Sequence, residues 1–273
     1  MLEPIRDSEG LARKVRGDVL RMANSSGLSH VGSSLSCVDM VACVYSTMLQ
    51  DFKLPILECE DLFFLSKGHA ASTLYATLWE LGYFAGDIVS DYGQDGKPLM
   101  SHVSDEVPGV SFSFGSLGHG PSVGLGTAWG QSKNQLGAIR RTFVLLGDGE
   151  MAEGAVWEAL ILAKNLQISN LVLLVDLNSI QSLGSTPASL SEESLVSKLE
   201  AFDCQVRVVD GHNHEGLRGA LMESGLSGDS PWVIVCRTVK GKGVSFMENK
   251  LLWHYKSPSD DELDKALLEV TDV

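Results

Sequence analysis

The sequence predicts an α/β protein built on a doubly wound parallel sheet. Short apolar runs of four to six residues alternate with amphipathic stretches from residue 142 onward, the order expected of strand–helix–strand units. The runs are apolar throughout rather than alternating, which marks strands covered on both faces. With 44% apolar residues, 21% charged residues and 28 glycines in 273 residues, the composition suits one enzyme-sized core.

Residues 8–23 carry Leu11, Val15, Val19 and Met22 at helical spacing, and a Ser/Gly-rich turn is expected over 24–34. Residues 37–49 are apolar enough for a buried helix. A short strand over Leu62–Leu65 precedes a helix over 70–81. Gly, Pro and Asp scattered through 84–113 predict loops and short turns. Small residues over 120–135 predict a closely packed helix. Then come a strand over 142–146, a helix over 154–166, and a strand over 171–175. A strand over 205–209, a helix over 215–223 and a strand over Trp232–Arg237 complete the series. Ser259-Asp260-Asp261-Glu262 is a capping-type start for a surface helix over 259–270. No repeat or linker divides the chain, so residues 1–273 read as one domain.

Acidic residues outnumber basic ones by 35 to 21, a net charge of −14, which argues against nucleic acid or anionic membranes as partners. Residues 1–10 lack a hydrophobic signal core, and no run reaches the length of a membrane span. Cys37, Cys43, Cys59, Cys204 and Cys236 form no C-x-x-C pair and read as free thiols in a reducing compartment. A cytoplasmic protein is expected.

Two predicted strands end in polar residues. Gly147-Asp148-Gly149-Glu150 follows the strand over 142–146, and Asp176-Leu177-Asn178-Ser179-Ile180 follows the strand over 171–175. In open parallel sheets, ligands bind outside the carboxyl ends of the strands. Asn178 lies thirty residues past Asp148, about one strand–helix–strand unit, so the two tips would face each other across a crevice. A carboxylate and an amide oxygen suit Mg²⁺, which takes hard oxygen ligands and leaves some positions to water or phosphate. The flanking glycines permit close approach of a phosphate to the backbone. An Asp-Gly turn and an Asn loop closure are the plain alternatives.

These residues resemble the thiamine diphosphate motif, and GDGEMAEGAVWEA is similar to the version found in transketolases. The likeness extends to four histidines: Ser29-His30-Val31-Gly32, Ser66-Lys67-Gly68-His69-Ala70, Met100-Ser101-His102 before Pro108-Gly109, and Trp253-His254 after Lys240-Gly241-Lys242-Gly243. Gly115-Ser116-Leu117-Gly118-His119-Gly120 is similar to the family's GPLGQG. The resemblance implies the diphosphate-domain fold and the cofactors thiamine diphosphate and Mg²⁺. It implies that Asp148, the Asn178 side chain and the Ile180 carbonyl hold the metal. By the same likeness His69, His254, Gly149 and Glu150 meet the diphosphate side, Gly115 and Leu117 the aminopyrimidine, and His30 and His102 the substrate channel. Glu153 matches a glutamate at the family's dimer interface. Asp210-Gly211-His212 resembles a further turn and reads as structural.

The resemblance covers residues 8–254 and only the family's diphosphate-binding domain. It therefore implies a partner subunit carrying the pyrimidine-binding and C-terminal domains, in an α₂β₂ assembly. The implied activity is transfer of a two-carbon ketol unit from a ketose to an aldose, with sugars or sugar phosphates as substrates. Acyloin formation from a 2-oxo acid and non-catalytic cofactor binding are the alternatives. Ser182, where the family usually has an apolar residue, and the SGLSHVG turn around His30 depart from the pattern and leave donor and acceptor open.

Overall fold

The computed structural model describes residues 7–47, 61–133 and 140–271. Helix α1 (Ser8–Ser26) starts on Asp7, whose carboxylate accepts the Gly10 N–H, and stops on Gly27 in the left-handed conformation. Its stripe of Leu11, Val15, Val19 and Met22 is buried. Helices α2 (Val31–Ser36) and α3 (Val38–Thr47) follow. The turn expected over 24–34 is thus shorter: α1 runs three residues past Ala23, and all six residues of α2 are buried. Ser and Gly favour turns in isolation, but burying Val31 and Leu35 at about 1.5–3 kcal/mol each outweighs that preference.

Strand β1 (Leu62–Leu65) leads to α4 (Ala71–Glu80) and the single turn α5 (Ile88–Asp91), the only regular element in the loop excursion over 84–113. Next come α6 (His119–Lys133), β2 (Thr142–Gly147), α7 (Gly154–Asn165) and β3 (Leu171–Leu177). A small hairpin, β4 (Ile180–Gln181) and β5 (Gly184–Ser185), precedes α8 (Glu192–Ala201), a helix the apolar pattern did not reveal. The chain ends with β6 (Gln205–Asp210), α9 (His214–Glu223), β7 (Trp232–Arg237) and α10 (Asp260–Thr271). The expected capping box at α10 forms: Glu262 accepts the Ser259 N–H at 2.9 Å and donates its own N–H to Ser259 Oγ at 3.4 Å. The far ends of the helices expected over 37–49 and 120–135 lie outside the described residues.

The five long strands form one parallel sheet in the order β1-β2-β3-β7-β6. After β3 the chain jumps to the edge as β6 and returns as β7, so the winding reverses between β3 and β7. Every residue of β3 is buried, as a central strand with both faces covered requires. In register, Gly147 of β2 pairs with Asp176 of β3, which sets Asp148 and Asn178 at neighbouring strand ends. Cys37, Cys43, Cys204 and Cys236 are free and buried, while Cys59 lies outside the described residues. No described helix is long and apolar enough to cross a membrane.

Candidate active site

A cavity of about 290 Å³ opens at the carboxyl ends of β1, β2, β3 and β7. His30, His69, His102, Gly115, Leu117, Asp148, Gly149, Glu150, Asn178, Ile180 and His254, all singled out from the sequence, line it. Glu153 does not. It is exposed at the start of α7, with its Cβ against Gly118.

Asp148 is 3% exposed. One carboxylate oxygen accepts the Gly149 N–H at 2.7 Å, and the other accepts the Ser179 N–H at 2.8 Å and the Thr186 hydroxyl at 2.7 Å. Ser179 reaches it by adopting a left-handed backbone, φ 62°. Among the described residues no cation lies within ion-pair distance of this carboxylate. Burial pushes its pKa up, against the hydrogen bonds from Thr186, Gly149 and Ser179.

Asn178 donates from Nδ2 to Asp176 at 3.2 Å, which points its Oδ1 the other way, where it accepts only the Ile180 N–H at 3.2 Å. The Ile180 carbonyl accepts from Lys240 Nζ at 2.9 Å. One carboxylate, one amide oxygen and one backbone carbonyl therefore line a single cavity. Among the described residues no trio of His, Cys, Asp and Glu could hold a metal, whereas this set is all oxygen, the donor type that hard cations take. A Cβ at Gly147 or Gly115 would meet nothing within 4 Å, so both glycines border open cavity.

The four histidines converge. The His30 ring centroid lies 5.1 Å from that of His69, 6.0 Å from His102 and 4.9 Å from His254. His30 has a left-handed backbone, φ 76°, and its N–H donates to the His254 carbonyl at 3.0 Å. Burial, aided by His102, Lys240 and Lys67, pushes His30 down to about 4. Burial and Lys240 do the same for His254. Burial holds His69 well below the ordinary imidazole range. These three rings are neutral at pH 7, each with one donor and one acceptor. Lys240 Nζ lies 3.0 Å from His254 Nδ1; the ammonium has only donors, so Nδ1 accepts and Nε2 carries the ring proton.

Glu150 lines the cavity, but its carboxylate already has partners. Oε1 accepts from the Ser66 hydroxyl and from the Gly118 N–H at 2.8 Å, and Oε2 from the Gly147 N–H at 3.4 Å. One buried side chain thus ties together the loops Ser66–His69, 115–120 and 147–150. Gly68 is required there, because a Cβ would lie 2.0 Å from the Phe114 carbonyl oxygen.

Sequence reasoning missed two cleft residues, Lys67 and Lys240, and the buried Asp176 behind them. Lys67 and Asp176 form an ion pair at 1% and 0% side-chain exposure. Lys240, 1% exposed, lies between Ile180 and His254. Lys67 and Lys240 sit inside the two motifs quoted for their histidines and glycines, so the signal was in view. The Asp210-Gly211-His212 turn, expected to be structural, lies outside this cavity's lining. His212 Nδ1 lies 2.7 Å from Asp39, and its Nε2 accepts the Val239 N–H at 2.9 Å.

Residues 10–268 match the family model described as transketolase, thiamine diphosphate binding domain. The chain belongs to the transketolase family. It is 35% identical over 269 residues to an apulose-4-phosphate transketolase subunit of Actinobacillus succinogenes, covering 98% of this chain and 95% of that one. It is 32% identical over 272 residues to a 6-deoxy-6-sulfo-D-fructose transketolase subunit of a Clostridium species, covering 99% and 98%. Among solved structures, transketolase from Leishmania mexicana superposes with a TM-score of 0.86 at 29% identity. That match covers 97% of this chain and 41% of the other, so the chain spans about two fifths of the solved transketolase. The α/β architecture expected from the strand pattern is that of the family. The buried, cation-free Asp148 and the glycine-bordered cavity fit the family's cofactor.

Proposed function

We propose that this chain, as a single diphosphate-binding domain, is the thiamine diphosphate- and Mg²⁺-binding subunit of a two-component transketolase. It transfers a two-carbon ketol unit from a ketose or ketose phosphate to an aldose. The observation that carries this reading is one cavity combining a hard-oxygen trio (Asp148, Asn178, Ile180) with four converging imidazoles. Asp148, Asn178 Oδ1 and the Ile180 carbonyl would hold Mg²⁺. His69, His254 and Lys240 would face the diphosphate, which the glycines at 147 and 149 admit to the backbone. Thiamine diphosphate supplies the nucleophilic carbon that accepts the ketol unit. His30 and His102 bind sugar hydroxyls and move protons at those oxygens. An imidazole suits this, since its two ring nitrogens can give and take hydrogen bonds.

The partner would be a second chain with the pyrimidine-binding domain, in an α₂β₂ assembly, with Glu153 at the shared interface. Five large apolar side chains support a covering partner. Met100, Phe112, Leu183, Leu252 and Tyr255 are exposed, and each lies within three residues of one lining the cavity. Leu183, at the tip of the β4–β5 hairpin, is 96% exposed. Such apolar surface beside a cleft is where a second chain docks. The four buried free thiols suit a cytoplasmic setting.

Calorimetric titration of thiamine diphosphate and Mg²⁺ into an equimolar mixture with the partner subunit tests the reading. Saturable Mg²⁺-dependent binding, abolished by Asp148→Ala, is expected. No binding to a confirmed complex would overturn the cofactor assignment and the activity with it.

A further inference from the structure

Two buried carboxylates stand at the tips of neighbouring strands, and their hydrogen-bonding capacity is used differently. An ionised carboxylate offers about four lone-pair sites. Asp176 accepts four hydrogen bonds, three of them crowded on one oxygen. Oδ2 receives Lys67 Nζ, the Ser36 hydroxyl at 2.6 Å and Asn178 Nδ2 at 3.2 Å, and Oδ1 receives the Thr238 hydroxyl. Asp148 accepts three hydrogen bonds, all from neutral donors. Asp176 has a cation within ion-pair distance, and among the described residues Asp148 has none that close.

Lys67 is held firmly in that role. Its ammonium also donates to the Ser33 carbonyl at 2.9 Å, and the side chain is 1% exposed. A buried ammonium is costly to desolvate and persists only where a fixed anion and further acceptors surround it. Both conditions hold here. Lys67 lines the cavity and Asp176 does not, so removing the ammonium would leave a second, uncompensated negative charge at the cavity wall near Asp148. Such a wall would draw in a divalent cation unaided, whereas Mg²⁺ held by one carboxylate relies on phosphate oxygens for the rest of its shell.

We propose that Lys67 is the resident counter-ion that withholds the charge of Asp176 from the cation site, so that a divalent cation is captured at Asp148 only together with an incoming diphosphate. The inference rests on the cofactor reading given above. Lys67 is a positioning residue in this scheme. It keeps Asp176 as the acceptor that turns Asn178 Oδ1 toward the cavity, and compensates its charge at the cavity wall. Metal and cofactor uptake are thereby coupled.

The test uses the full chain in complex with its partner, with Mn²⁺ as a probe followed by loss of the free-ion paramagnetic resonance signal. Lys67→Gln retains a neutral donor for Asp176 and Ser33 but removes the charge. Without thiamine diphosphate, Lys67→Gln is expected to bind Mn²⁺ about tenfold or more tightly than wild type, because one repelling unit charge has gone. The double variant Lys67→Gln/Asp176→Asn is expected to return to the wild-type level. Equal or weaker cofactor-free binding by Lys67→Gln would overturn the proposal. A thermal readout covers a poorly folded variant: millimolar Mn²⁺ alone should raise the melting temperature of Lys67→Gln and not that of wild type. Absence of that rise would also overturn it. If wild type takes up no Mn²⁺ even with thiamine diphosphate, the cofactor reading itself fails, a result distinct from unchanged behaviour of the variant.

Discussion

Replacing Glu150 by Ala is the sharpest probe of how the cleft is assembled. Two well-formed donors, the Ser66 hydroxyl and the Gly118 N–H, lose their acceptor, and the longer contact from Gly147 goes too. A buried donor left unsatisfied costs about 1–3 kcal/mol, so the two together cost about 4 kcal/mol. An unfolding entropy of about 2.1 cal/mol/K per residue converts that loss to a fall of about 7 °C in melting temperature. Glu150→Gln keeps one oxygen able to serve Ser66 and Gly118, and should cost only about 1 kcal/mol, or about 2 °C. Melting followed by far-UV circular dichroism measures both. Thiamine diphosphate affinity of the assembled complex should fall with the Ala variant, because three loops of the cavity are released together. A Glu150→Ala protein that melts within about 1 °C of wild type and binds cofactor normally would refute the argument.

Gly68→Ala places a methyl 2.0 Å from a backbone oxygen that no rotamer change can move, so a loss of about 3 kcal/mol is expected, with weakened cofactor binding through displaced His69. Denaturant titration and calorimetry read the two effects. His214 supplies a pH signature outside the cleft. Burial opposes its protonation, but hydrogen bonds to Asp39 and Cys43 overcome this and push it up to about 10. Its stabilisation is complete below the unfolded value near 6.5 and is lost as pH rises from there toward 10. Stability should fall across that window by about 1 kcal/mol per pH unit, and His214→Gln should flatten the slope in urea unfolding at several pH values.

Much of this was legible because its physics is local. The runs at 142–146 and 171–175 are strands since nothing polar interrupts them, and Asp148 and Asn178 sit past their ends. Their thirty-residue separation implied adjacency, and the pairing of β2 with β3 bears it out. Helix α2 was not legible, since Val-Gly-Ser-Ser-Leu-Ser owes its helical form to burial by the rest of the chain. Nor was the role of Glu150, which reads as a charge facing a ligand but serves as an acceptor for other loops. Lys67 and Asp176 lie 109 residues apart, and each looks like an ordinary surface charge until the fold removes both from water. A charge's burial is a property of tertiary contacts, and local pattern carries no trace of it.

The cleft is closed by segments far apart in the sequence. Ser33 meets His254 across 221 residues, and Asn24 bonds the Pro258 carbonyl across 234. Contacts of such span form late, since the intervening chain must first be ordered. The sheet and its acidic tips can therefore form before the wall that carries His254 is docked, so the cavity takes its shape only when the whole fold has closed on it.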